Sequence, residues 1–295
     1  MLFLKKEMKK YLLFACLLGF LSCTPNRSRQ TAYHNGHEGM YEAQAVDLNE
    51  DEDTNRTEEG GADGEAIDTK GLELPAPLED RPSQVLYREG YTVSYNKVLL
   101  VPNWVAWHLT AAHATGTAKR KGIEFHEDEE VPEPRATTGD YRQSGYDRGH
   151  LCPAGDNKWS RTAMDQSFLM TNICPQDPNL NRGDWNEMEN QCRQWAGKYG
   201  DIYIVAGPIF FKGRHKRIGR NKVTVPEGFF KVVLCMRGEP KAIGFVYKNN
   251  AGNKPKDAYV NSVDEVERIT GIDFFPSLPD KVENKVEKEQ NLADW

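Results

Sequence analysis

The octapeptide Tyr146-Asp147-Arg148-Gly149-His150-Leu151-Cys152-Pro153 gathers an acid, a guanidinium and an imidazole around one glycine. An imidazole with an ordinary pKa near 6.5 can take and return a proton at neutral pH. A guanidinium offers a planar fork of N–H donors that fits an oxyanion. Further along, the run LNRGDWNEMEN carries Asn181 and, eight residues on, Glu189. On a helix that spacing is a little over two turns, so both side chains can project from one side. Taken singly, each residue has a plainer account. A lone Asn at a helix start is usually a cap, a Glu on an amphipathic helix usually faces water, and a His between Gly and Leu is usually structural. The order is what separates this chain from those cases: DRGH, then TN-x-x-PQ from Thr171 to Gln176, then Asn-x-x-x-Trp-x-x-x-Glu.

Those residues need a scaffold. QVLYREGYTVSYN (84–96) and LLVPNWVAWHLT (99–110) are rich in Val, Tyr and Trp with near-alternation, which predicts strands joined by a short turn. SFLMTNICPQ (167–176) starts as a further strand and is expected to stop at Pro175. DIYIVAGPIF (201–210) reads as a buried strand, and KVTVPEGFFKVVLCMRG with KAIGFVYKN reads as a hairpin about Gly238-Glu239-Pro240. Trp185, Met188, Cys192 and Trp195 recur at three- and four-residue steps, which predicts an amphipathic helix from Asn181 to Tyr199 stopped by Gly200. Ser262-x-x-Glu265 predicts a capping box for a second helix ended by Gly271. The sum is an α+β fold, a mostly antiparallel sheet core with packed helices, in one domain over residues 82–280.

With SYN and PNWVAW (94–96 and 102–107), YDRGHLCPAGD (146–156), FLMTNICPQ (168–176), LNRGDWNEMEN (180–190) and YIVAGPIF (203–210), the chain resembles the DNA/RNA non-specific endonucleases, the ββα-metal nucleases that include endonuclease G. The resemblance implies a ββα-metal nuclease fold and the hydrolysis of phosphodiester bonds in DNA and RNA, leaving 5′-phosphate ends. It implies His150 as general base, Asn181 as the direct ligand of Mg²⁺ (or of Mn²⁺ in its place), and Glu189 as the group that orders water on the metal. It also implies Arg148 and, upstream, Arg120 as phosphate contacts, with Asn172 supporting the site. Asp147 is expected to orient its neighbours, and Gly149 to let the backbone turn so that Arg148 and His150 face one phosphate. The chemistry agrees with those residue types, since Mg²⁺ sheds water reluctantly and takes few protein ligands. Cys152, beside the motif, is a departure and a candidate for oxidation.

Charge is unevenly placed. The whole chain has a formal net charge of −6. Residues 24–81 hold 15 acidic and 5 basic residues and few aromatics, the composition of a disordered acidic tether. Residues 82–295 are left close to neutral, so the acidic pI does not exclude a polyanionic substrate. FFKGRHKRIGRNK (210–222) concentrates Lys212, Arg214, Lys216, Arg217, Arg220 and Lys222, either as a solvated loop or as a patch that tracks phosphates in a salt-sensitive way. No base-reading motif is visible. Residues 281–295 read as a frayed, charged C-terminal tail.

The first residues read as targeting rather than fold. Lys9-Lys10, the apolar run YLLFACLLGFL and then Ser22-Cys23 have the order of a signal peptide over residues 1–23, too short to span a bilayer. Cys23 matches a bacterial lipoprotein acylation site, although Phe20 stands where Leu is usual. These features predict export to the periplasm or cell surface with a lipid anchor in the membrane. The remaining cysteines, Cys152, Cys174, Cys192 and Cys235, contain no C-x-x-C pair, so a structural zinc site is not expected; an oxidising compartment would permit disulfides, with three full pairings open. Other functional classes stay in view: a surface-tethered nucleic-acid-binding module without catalysis, or a phosphodiesterase acting on small diesters.

Overall fold

Strand alternation divides the apolar residues between two faces. Val105, Trp107 and Leu109 point one way, and Trp104 and Ala106 the other. In the protein's structure, a computed structural model that describes residues 68–211, 213–250 and 252–295, these faces belong to one large sheet. Its strands are drawn from β1 (Gln84–Tyr87), β2 (Thr92–Asn96), β3 (Val101–Thr110), β4 (Asp147–His150), β5 (Ile173–Gln176), β6 (Asp201–Ile209), β7 (Arg217–Ile218), β8 (Val223–Thr224), β9 (Gly228–Cys235), β10 (Lys241–Lys248) and β11 (Val260–Asn261). Seven of them lie in the order β1-β2-β3-β6-β9-β10-β11, and every neighbouring pair is antiparallel. The α+β class read from the sequence is the class observed.

The helices are α1 (Ala111–Thr115), α2 (Arg161–Gln166), α3 (Pro178–Arg182), α4 (Asp184–Tyr199), α5 (Val263–Thr270) and α6 (Asp280–Val286). The predicted stripe on α4 covers one face of the sheet. Trp185 meets Phe229 and Tyr247, each with ring centroids 5.6 Å away, and Trp195 stacks on Phe245. On that face β4 and β5 form a separate antiparallel ribbon, with His150 opposite Ile173 and Asp147 opposite Gln176. Ribbon and α4 together make a β-β-α unit. The opposite face is covered by α5 and α6 through Val263, Val266 and Val286.

Several expectations need correction. The helix predicted from Asn181 to Tyr199 is two helices, broken at Gly183, whose ψ of −111° no helix can accommodate; a Cβ there would also press on the Asn179 carbonyl. Pro175 does not stop its strand but lies inside β5 opposite Arg148, on a two-stranded ribbon where a missing N–H is tolerated. Residues 170–172 form a 3₁₀ turn rather than strand. Only half of the capping box forms: Ser262 accepts the Glu265 N–H, while the Glu265 carboxylate pairs with Arg268. No disulfide forms among the four cysteines of the domain. All are buried, unpaired thiols, and burial pushes each pKa up, which makes them unreactive.

Both domain boundaries also move outward. Leu72, within the expected tether, is fully buried against the second face, with Leu74 and Leu78 beside it. The expected frayed tail instead forms α6 and ends with Trp295 packed on Trp195 at 4.6 Å between ring centroids. In each segment a few apolar residues dock while the average composition stays charged. Residues 1–67, with the expected signal, Cys23 and most of the tether, lie outside the described residues. Among those described, no helix is long and apolar enough to cross a membrane.

Candidate active site

His150 ends β4 and is held from several directions. Trp185 on α4 donates its indole N–H to the His150 carbonyl at 3.1 Å. The next peptide units are fixed by Asn172, which is fully buried. Its Oδ1 accepts the Cys152 N–H at 3.0 Å, and its Nδ2 donates to the Cys152 and Ser167 carbonyls at 2.8 Å. Asn172 therefore supports the site as a backbone clamp, as expected of it, and is not among the residues that line the cavity beside His150.

The His150 ring sits between Phe125 and Phe168, at 5.1 and 4.9 Å between centroids. Its Nε2 is screened from bulk water and has no hydrogen-bond partner among the described residues. Burial, then the positive charges of Arg120 and Arg148, push its pKa down to about 3, so the imidazole is neutral at pH 7. The same two phenyl rings carry the guanidiniums. Arg148 lies 4.5 Å from the Phe125 centroid and Arg120 lies 5.0 Å from that of Phe168, distances at which a cation is attracted by the ring face.

Gly149 serves differently from the sequence expectation. It lies within extended strand β4, so strand alternation, and not a turn, puts Arg148 and His150 on one face, two residues apart. Its missing Cβ makes room for Gln176, whose side chain a Cβ would strike.

A cavity of about 540 Å³ opens beside His150 and is lined by Arg120, Arg148, Asn181 and Glu189 among others. Five of the six expected site residues thus meet at one cavity, although α3 and α4 are separate helices. Asn181 donates its Nδ2 to Asp147 Oδ2 at 3.0 Å, and Arg182 grips the same carboxylate with two N–H groups at 2.8 and 2.9 Å. Asp147 therefore orients its neighbours, as expected. The Asn181 amide oxygen is left to serve as a ligand.

Glu189, on α4, is raised to about 7 by burial; Lys231 opposes that shift, while Asp156 adds to it. Lys231 was not foreseen. It replaces an apolar residue in the alternation of β9, is 0 % exposed, and lies 4.5 Å from the Trp185 ring centroid and 5.2 Å from that of Trp107. Arg193, also on α4, pairs with buried Asp156 at 2.7 Å, and Trp107 donates to the other Asp156 oxygen. A lysine within an apolar strand pattern was the available signal for this buried charge group.

A Mg²⁺ ion fits these residues. One neutral amide oxygen and one carboxylate beside an open cavity leave most positions to water, which is how Mg²⁺ is commonly held.

A second cavity shares Arg120, Phe125, Asp147 and Arg148 with the first and extends to Tyr146 and Arg142. Lys216 of the basic run lies 4.7 Å from the Tyr146 ring centroid, and Arg214, Arg217, Arg220 and Lys222 are exposed. Lys212 falls outside the described residues.

The β-β-α unit thus presents a histidine, two arginines and an amide–carboxylate pair to one cavity. The family model of the DNA/RNA non-specific endonucleases matches residues 75–281. The mitochondrial nuclease EXOG of Homo sapiens is 37 % identical over 205 residues, covering 64 % of this chain and 56 % of that protein. The mitochondrial endonuclease G of Bos taurus is 33 % identical over 233 residues, covering 74 % and 75 %. A chain from the solved EndoG/EndoGI complex superposes with a TM-score of 0.64 at 29 % identity, covering 68 % of this chain and 89 % of that one. The protein belongs to the DNA/RNA non-specific endonuclease family. The match spans 56 % of the human EXOG and 63 % of the Danio rerio EXOG, so a large part of those relatives has no counterpart in the alignment.

Proposed function

We propose that the protein is an exported, Mg²⁺-dependent, sugar-non-specific endonuclease that hydrolyses phosphodiester bonds in DNA and RNA and leaves 5′-phosphate ends. The observation that carries this reading is the meeting of His150, Arg148, Arg120, Asn181 and Glu189 at one cavity.

His150, neutral and with Nε2 unpaired, accepts the proton of the attacking water. A base with a pKa of about 3 is weak at neutral pH. Two of the groups that depress it are Arg120 and Arg148, and a bound phosphodiester places negative charge against both. Substrate binding therefore offsets the share of the shift that the two arginines cause, while the larger share, from burial, stays. The two guanidiniums hold the equatorial, non-bridging phosphate oxygens, so that the departing 3′ oxygen can lie in line with the attacking water. Asn181 would hold the cation directly and Glu189 would hold it through bound water; the chemistry it would supply is Lewis-acid stabilisation of charge on the departing 3′ oxygen. The absence of a base-reading motif and the exposed basic run Arg214–Lys222 agree with sequence-independent, salt-sensitive binding.

Digestion of plasmid and of total RNA, with Mg²⁺ and with EDTA, tests the reading. Both substrates should be degraded only with the metal, to fragments that a 5′-phosphate-dependent exonuclease accepts. Retarded but uncut plasmid would instead support a binding module, and preference for a mononucleotide diester a small-substrate phosphodiesterase.

Export and membrane anchoring rest on Lys9-Lys10, the apolar run and Ser22-Cys23. A Cys23→Ser variant should leave the membrane fraction; retention there would overturn the anchor.

A further inference from the structure

Three carboxylates converge on the sheet face opposite the catalytic cavity. Asp264 and Glu267 stand one turn apart on α5, and Glu287 follows the last residue of α6. One carboxylate oxygen from each lies within 4.8 Å of the other two. The backbone joins the two helices here, because the Asp264 N–H donates to the Glu287 carbonyl at 3.1 Å.

The arrangement is costly as it stands. Glu287 is only 7 % exposed, and its Oε1 has no hydrogen-bond partner. It sits at the carboxyl end of α6, where the helix dipole disfavours an anion and favours a cation. Two basic side chains on these helices are paired elsewhere: Arg268 with Glu265 and Lys285 with Glu239. Asp273 and Glu283 add further negative charge, and burial together with this repulsion raises Glu267 to about 7 and Glu287 to about 8. Glu267 Oε1 accepts the Phe274 N–H at 2.8 Å, which fixes the group and leaves its second oxygen available.

We propose that Asp264, Glu267 and Glu287 form a calcium site, separate from the catalytic metal position, that ties α5 to α6. Oxygens around Ca²⁺ lie at about 2.3–2.6 Å, so two ligands of one ion are at most about 4.6–5.2 Å apart, and the three carboxylate oxygens, all within 4.8 Å of one another, meet that limit. The donor set is all carboxylate oxygen. Asp264 is exposed, so water can complete the six to eight positions that Ca²⁺ accepts. Mg²⁺ demands a tighter octahedron and is seldom held by a dedicated protein cage.

The test uses the full chain stripped with EDTA and titrated with CaCl₂, read by calorimetry and by thermal melting. The Asn181→Ala variant, which weakens the catalytic position, should still bind one Ca²⁺ and gain melting temperature. Adding Glu287→Gln should weaken that binding more than tenfold and remove the gain, while Glu287→Gln alone keeps its Mg²⁺-dependent turnover. Without Ca²⁺, Glu287→Gln should melt no lower than the parent, since it relieves repulsion. If Glu287→Gln fails to fold, Glu267→Gln reads the same loss. Absence of Ca²⁺-dependent stabilisation in Asn181→Ala, or stabilisation that survives both glutamine substitutions, would overturn the proposal.

Discussion

Asp147 accepts the Nδ2–H of Asn181 at 3.0 Å while two N–H groups of Arg182 hold the same carboxylate. An aspartate at the start of β4 thus sets the amide of a residue on α3, and the orientation of the proposed ligand is decided outside the helix that bears it. Groups of this kind around a metal ligand are commonly worth a factor of ten or more. Asp147→Ala should therefore weaken apparent Mg²⁺ affinity by about 10–100-fold, with a smaller effect on turnover at saturating metal. Arg182 is largely solvent-exposed, so Arg182→Ala should cost much less. A Mg²⁺ titration of turnover for both variants checks the ranking.

Glu189 links the metal to pH. Its carboxyl is raised to about 7, so below that pH a proton competes with the cation. Apparent Mg²⁺ affinity should fall by up to tenfold per unit as pH drops below about 7, and the dependence should vanish in Glu189→Gln.

The same shift has a sign for stability. Between the ordinary 4.5 and about 7 the folded protein keeps a proton that the unfolded chain has lost. The contribution of Glu189 to stability therefore declines as pH rises through that window. Without metal, Glu189→Gln should be more stable than the parent at pH 8 and no more stable at pH 4.5, as measured by urea denaturation.

Trp295 anchors the C-terminal segment. It is nearly buried against Trp195, and its carbonyl oxygen accepts from Lys198 and from the Tyr199 hydroxyl. Trp295→Ala should cost about 2–3 kcal/mol by lost burial, with specific activity of the folded fraction unchanged. A denaturation midpoint equal to that of the parent would return this segment to a frayed tail.

Much of this was legible in the sequence, for physical reasons. The sheet strands and α4 announce themselves by periodicity, because burial on one face forces it, and Trp185 and Trp195 lie where their spacing predicts. The residues around the cavity were legible as an ordered motif. Other features carry no local signal. The break at Gly183 follows from a backbone angle that a glycine permits but does not dictate. The role of Gly149 depends on Gln176, a residue on another strand. Lys231 needs the tertiary packing of Trp107 and Trp185 to be buried at all. Leu72 and Trp295 dock as single apolar residues within charged stretches, where averaged composition hides them.

The most direct test is turnover of plasmid DNA by His150→Ala beside the parent at saturating Mg²⁺, with a melting curve for each. Loss of a general base costs about 10²–10⁴-fold, and the account predicts that loss from a protein that still melts cooperatively and still retards plasmid. Parental turnover from folded His150→Ala would contradict it, and the proton would then have to pass to another group at the cavity.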